Sequence, residues 1–146
     1  MNNLEMARSG LRQAVVRIGY AENALAKEEY PYVVRQSQEA VELALKGVLR
    51  LAGIEPPKWH DVGPILKDNV NRFPQWFAEN IEELASISRE LRREREPSMY
   101  GDEETSTPPY KLYSRIDAEK ALSNARKVLD MCERLLAEWT GRRQSG

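Results

Sequence analysis

The sequence predicts an all-α fold, an up-and-down antiparallel bundle of four long helices and one short helix. Two observations carry that reading. Apolar residues return at three-, four- and seven-residue steps along most of the chain, and no stretch alternates with period two. Pro31, Gly53, Pro74 and Pro97 fall between the apolar stripes, where helices stop and start.

The elements follow in order. Leu4, Leu11, Val15, Ile18 and Leu25 form one stripe of a first helix, which "KEEYPY" interrupts. Pro31 suits the first turn of a second helix, because its missing N–H would find no partner there. That helix carries Val34, Ser37, Val41, Ala44, Leu45, Val48 and Ala52 inward and stops at Gly53. "IEPPKW" is a rigid connector. Asp61 is placed to cap a short helix from Val62 to Asn69, and His60 beside it reads as structural. Pro74 opens a longer helix with Phe77, Ile81, Leu84, Ile87 and Leu91 inside, ended by Pro97. Ser114 with Asp117 three residues on is a capping-box variant. It starts a last helix with Ala118, Ala121, Leu122, Ala125, Val128, Leu129, Cys132 and Leu136 inside. The chain reads as one domain over residues 1–140, with 141–146, including Arg142 and Arg143, as a frayed tail.

Composition narrows the function classes. Among the 146 residues, 41% are hydrophobic and 31% charged, as in a soluble globular protein, and the net charge of −1 makes no global trap for nucleic acid or anionic membrane. "MNNLEMARSGLRQ" has no apolar signal core, and no run approaches the ~20 apolar residues that span a bilayer. Cys132 is alone, so neither a disulfide framework nor a thiolate cluster forms, and a cytoplasmic setting is expected. His60 is the only histidine, which excludes a two-histidine metal site; no cofactor and no metal is expected. The acids Asp102, Glu103 and Glu104 read as a hydrated loop rather than a Mg²⁺ site. Trp59, Trp76 and Trp139 read as core or interface aromatics.

One connection departs from the bundle pattern. Pro97 to Tyr113 is long for a compact domain and carries Tyr100, Tyr110 and Tyr113. Three tyrosines argue for a segment packed against the bundle or against a partner subunit.

"YPYVVRQSQEAVELALKGVLRLAGIEPPKWHDVGPIL" resembles the core of a HEPN domain (higher eukaryotes and prokaryotes nucleotide-binding). The likeness lies in the Tyr-Pro opening, the Ala-x-Glu-x-Ala-x-Lys register and the His-Asp after a proline-containing connector. It extends from about Leu4 to Leu136. The resemblance implies a helical bundle, usually a homodimer. It also implies one of two activities: a metal-independent RNase toxin paired with a nucleotidyltransferase antitoxin, or a binding module that has lost its active site.

The family motif is an Arg, four to six residues, then His, often followed by x-Tyr. Here "RREREPSMYGD" matches with Arg93, with Ser98 in the histidine's place, and with Tyr100 in the place of the tyrosine that a partner nucleotidyltransferase adenylylates in related systems. Metal-free RNA cleavage needs a base for the 2′-OH and an acid for the leaving oxygen, and histidine serves because it titrates near neutrality. Ser98 cannot replace it. Arg93 and Arg95 retain the geometry that grips phosphate, with Tyr100 and Asp102 beside them. Motif spacing favours Arg93, whereas the helix wheel turns Arg95 inward. The favoured expectation is a nucleotide-, RNA- or partner-binding module; the alternative is a variant RNase using Arg93, Tyr100 and Asp102.

Overall fold

The structure, a computed structural model, describes residues 3–58 and 61–145, with side chains described as far as Gly141. Four long helices dominate: α1 (Asn3–Ala26), α2 (Tyr30–Leu51), α5 (Ile81–Arg93) and α8 (Arg115–Ser145). Between them lie the short helices α3 (Gly63–Asp68), α4 (Gln75–Ala78), α6 (Arg95–Tyr100) and α7 (Pro109–Leu112), with one 3₁₀ turn at Val70–Arg72. α2 runs through the middle, touching α1, α5, α6, α7 and α8.

That central position explains the composition of α2. Buried residues run almost all round it, from Val33 and Val34 to Leu49 and Leu51, including the polar Gln36, Ser37 and Gln38. A strip at Tyr32, Arg35, Glu39, Glu42, Lys46 and Arg50 stays exposed or partly exposed, so the apolar face of the helix is broad. It begins with Pro31 in its first turn and ends at Gly53, whose φ of 80° is left-handed. The N–H groups of Gly53 and Ile54 return to the carbonyls of Arg50 and Leu49, at 2.9 Å each, which satisfies the last turn.

α1 meets α2 at close range. A Cβ on Gly10 would lie 3.1 Å from the Leu43 carbonyl oxygen, and one on Gly47 would lie 3.3 Å from that of Ala7. The face of α1 at this contact is made of Ala7, Gly10, Ala14, Ala21 and Ala24, joined by Leu11 and Ile18. Val15, expected inside, is 48% exposed, because the close contact selects small residues and rotates the valine outward. Gly19 is different from Gly10. Nothing lies within 4 Å of a Cβ there, although glycine in a helix interior costs roughly 0.5–1 kcal/mol relative to alanine.

Two helices expected to be continuous are broken. Pro74 caps α4, but Asn80 interrupts the path to α5, its side-chain amide donating to the Trp76 carbonyl at 2.6 Å. An asparagine that bonds locally competes with the helix ladder. Pro97 does not end α5. The helix ends at Arg93, four residues earlier, and Pro97 lies in the first turn of α6. Proline offers no N–H to the carbonyl four residues back, and its ring collides with it.

The capping box forms as expected. Ser114 N–H donates to Asp117 Oδ2 at 2.9 Å, and Asp117 N–H donates to Ser114 Oγ at 3.3 Å. α8 then buries the expected residues from Ala118 to Cys132, with Leu135 buried in place of the half-exposed Leu136. It is helical to Ser145, through most of the stretch expected as a frayed tail. The side chains of Arg142 and Arg143 lie outside the described residues. So do Trp59 and His60, on which the structural reading of that histidine rested. Trp76 is half-buried, stacks edge-on against Phe77, lies under Arg134 and donates its indole N–H to Glu138 at 2.6 Å. Among the described residues, no helix is long and apolar enough to cross a membrane.

Gly47→Leu should destabilise the fold by about 1–3 kcal/mol, because the added side chain forces apart two backbones in contact. Chemical denaturation measures this; an unchanged midpoint would mean that α1 and α2 do not need the close approach.

Candidate functional site

The proline-induced break at Glu94 organises the site. It separates three arginines that a continuous helix would have spread around one axis. Arg92, the last residue but one of α5, turns toward α2 and donates to Glu42 Oε1 at 3.0 Å. Lys46 lies 3.5 Å from the same oxygen, and Gln38 donates to Oε2 at 3.4 Å. These side chains of Arg92, Lys46 and Glu42 are only 20–28% exposed, so the pairing acts with less screening than on an open surface. Gln38 is buried, and its Oε1 has no partner.

Arg93 and Arg95 are exposed and make no described ion pair. The inward orientation expected for Arg95 does not occur, since the kink resets the helical register after Arg93. Ser98 is buried at 6%, and its hydroxyl donates to the Arg95 carbonyl at 3.0 Å. It faces the bundle and its proton is committed to the backbone. Tyr100, in contrast, is 64% exposed at the end of α6.

The segment after Tyr100 folds back on the bundle. Gly101 has φ 79°, and a Cβ there would fall 2.1 Å from the Thr107 carbonyl oxygen, so only glycine fits. Asp102 and Thr107 then exchange two antiparallel backbone bonds of 2.8 and 2.9 Å. Asp102 Oδ1 accepts from the N–H of Glu104 and Thr105 at 3.0 and 3.3 Å, holding the turn between them. The Asp102 carboxylate, expected beside the motif residues, is therefore engaged in building its own loop. Pro109 starts α7, and Tyr113 anchors the far end by donating its hydroxyl to Glu94 at 2.8 Å.

The result is an open hollow of about 540 Å³ beside Tyr100, rimmed by Glu94, Glu96, Asp102, Glu103 and Glu104. Five carboxylates on one rim oppose a polyanion there, while Arg93 and Arg95 are not among its lining residues. Burial, then the hydrogen bond from its hydroxyl to Glu94 and the charge of that carboxylate, push the phenol of Tyr113 well above its ordinary pKa. Among the described residues, no group of three or more His, Cys, Asp or Glu is arranged to hold a metal. Asp61 Oδ1 accepts from Gly63 N–H at 3.2 Å and from Ser88 Oγ at 2.7 Å, so it ties the start of α3 to α5.

The HEPN domain model matches residues 7–135. The chain belongs to the HEPN family. It is similar to a Methanocaldococcus jannaschii protein named "Putative toxin MJ1304", with 27% identity over 97% of this chain and 95% of that one. The crystal structure of TT1696 from Thermus thermophilus covers 92% of this chain and 98% of its own, with 31% identity and a TM-score of 0.68. This HEPN chain thus shares nearly its whole length with both relatives.

Sequence reasoning overlooked Arg92, Glu42 and Lys46. One signal was present: Glu42 and Lys46 stand four residues apart on α2, a spacing that pairs them on one face. Nothing in the sequence pointed to Arg92 as their third member, nor to Glu94 as the partner of Tyr113.

The raised phenol gives a pH dependence. The unfolded chain releases this proton near the ordinary value of about 10. The folded chain holds it to higher pH, so the contribution is complete below about pH 10 and falls as pH rises beyond. Tyr113→Phe should cost roughly 1 kcal/mol at neutral pH through the lost hydrogen bond. It should also flatten the alkaline loss of stability, which denaturation midpoints between about pH 8 and 11, spanning the ordinary phenol value, would measure; a parallel pH profile for parent and variant would refute this.

Proposed function

We propose that this protein is a HEPN module that binds a partner through the Arg93–Asp102 segment and does not cleave RNA. One observation carries the reading: Ser98 stands in the place of the motif histidine, is buried, and spends its hydroxyl on the Arg95 carbonyl. A serine so placed neither titrates near neutrality nor reaches a substrate, so the acid–base pair needed for metal-free cleavage lacks its main member.

Two surfaces meet at this segment. Arg93 and Arg95 expose guanidinium groups suited to a phosphate or an acidic side chain. Tyr100 stands at the lip of the acidic hollow, displayed by the turn at Gly101. The resemblance to a protein named as a toxin supports a partner for this chain; the family pattern makes a nucleotidyltransferase our candidate for it, with Tyr100 as the residue it modifies. Adenylate on Tyr100 would bring a negative phosphodiester to this segment and compete for the two arginines.

Incubating the pure protein with total RNA and a metal chelator tests the central claim. No cleavage above the buffer control is expected, and Ser98→Ala should leave that result unchanged. Metal-independent cleavage that Arg93→Ala abolishes would establish the variant RNase with Arg93, Tyr100 and Asp102. With a cognate nucleotidyltransferase and ATP, peptide mapping should place the added mass on Tyr100. Label on Tyr110 or Tyr113 with Tyr100 untouched would defeat that assignment.

A further inference from the structure

The corner where α1 turns into α2 holds a hollow that neither the packing of the bundle nor the Arg93–Asp102 segment uses. Tyr20, Asn23, Ala24 and Lys27 recur at helical steps along the end of α1, and Glu29 and Tyr32 at the start of α2 complete the lining. Together they surround about 380 Å³, a volume in the range of small-ligand sites. The corner is fixed by its own backbone. The N–H groups of Glu28 and Glu29 return to the carbonyls of Leu25 and Ala24 at 3.0 and 2.9 Å, a closure that usually places glycine at the position of Glu28. Glu28 takes the left-handed φ of 61°, and its carboxylate pairs with Arg115 of α8 at 3.5 Å.

The groups around the hollow are uncommitted. Tyr20 and Tyr32 are 49% and 44% exposed, and neither hydroxyl has a partner among the described residues. Lys27 and Glu29 carry opposite charges, yet they pair neither with each other nor with any described residue. Glu29 precedes α2 without bonding its first turn through the side chain. One turn beyond Tyr32, Gln36 is 2% exposed, and its Oε1 has no hydrogen-bond partner. A buried acceptor left so favours a neighbour rich in N–H donors.

This set of groups selects among ligands. Phenol rings and a carboxylate attract a planar cation, and a guanidinium both stacks on such rings and meets a carboxylate with paired N–H groups. Lys27 opposes a ligand that is only a cation, but it complements a carboxylate carried by the same molecule. A nucleotide fits less well, since its phosphate has one ammonium to meet and Glu29 against it.

We propose that the α1–α2 corner is a binding site for a molecule with a guanidinium at one end and a carboxylate at the other, as in free arginine or the C-terminal arginine of a peptide. The guanidinium lies against the tyrosine rings and Glu29, and the carboxylate meets Lys27. No lining residue belongs to the Arg93–Asp102 segment, so the site is independent of the partner-binding reading.

Titration of the full chain with L-arginine, followed by amide NMR shifts, tests the proposal. Saturable binding with Kd of about 1 mM or tighter is expected, with the largest shifts between residues 20 and 36. Agmatine lacks the carboxylate, and citrulline has a neutral urea in place of the guanidinium; each should bind about tenfold more weakly. Glu29→Gln should weaken arginine and agmatine alike. Lys27→Gln should weaken arginine alone and remove its advantage over agmatine, a selective loss that unfolding does not produce. The dipeptide Gly-Arg separates the two sources. Binding equal to that of arginine assigns the site to chain ends, and rejection of the dipeptide assigns it to the free amino acid. The proposal is overturned by a parent that shows no saturation below about 10 mM arginine. It is equally overturned if citrulline or AMP binds as tightly as arginine, or if Lys27→Gln keeps the preference for arginine over agmatine.

Discussion

The approach of α1 to α2 at Gly10 and Gly47 is the contact on which the rest of the molecule depends. With no side chains between them, the two backbones come within van der Waals reach of each other's carbonyl oxygens. α2 thereby packs against α1 and α8, and also against α5, α6 and α7. This packing accounts for the alanines of α1, the almost continuous burial along α2 and the length of α8, which packs against both. Burial of this apolar surface is the main favourable contribution to such a bundle.

A second constraint acts where α5 ends. Pro97 withholds an N–H from the carbonyl of Arg93, and the chain turns at Glu94. Arg92 then reaches Glu42 on the central helix, while Arg93 and Arg95 remain at the surface. The same turn brings Ser98 under cover and leaves Tyr100 in solvent. Gly101 and the Asp102–Thr107 bridge return the chain to the bundle, where the bond from Tyr113 to Glu94 closes the loop. The exposure of the candidate residues is thus a consequence of backbone geometry, starting from one proline and ending at one glycine.

The two surfaces of the segment differ in electrostatic character. One offers guanidinium groups and the other five carboxylates around Tyr100. A uniform polyanion would be attracted to the first and repelled by the second, whereas a folded partner with charges of both signs can complement both. For the binding role proposed above, that division favours a protein over an extended RNA.

Periodicity alone determined the all-α class, the four long helices and most of the core, since the inner stripes of α5 and α8 repeat with the helical period. Local chemistry was also legible: the Ser114–Asp117 box, the stop at Gly53 and the proline in the first turn of α2 involve only neighbours in the chain. The positions Arg93, Ser98 and Tyr100 could be matched to the family motif by resemblance, and Asp102 named beside them, but their accessibility could not be read from the sequence. Ser98 is buried because α6 packs on α2, and Arg95 is exposed because the helix breaks upstream of Pro97 rather than at it. Val15 points outward because α1 approaches its neighbour through alanines and a glycine, a preference invisible to a count of large apolar residues. The Arg92–Glu42 and Tyr113–Glu94 bonds join residues 50 and 19 positions apart. Contacts across such separations leave no period in the sequence; only the packing of α2 against its neighbours decides them.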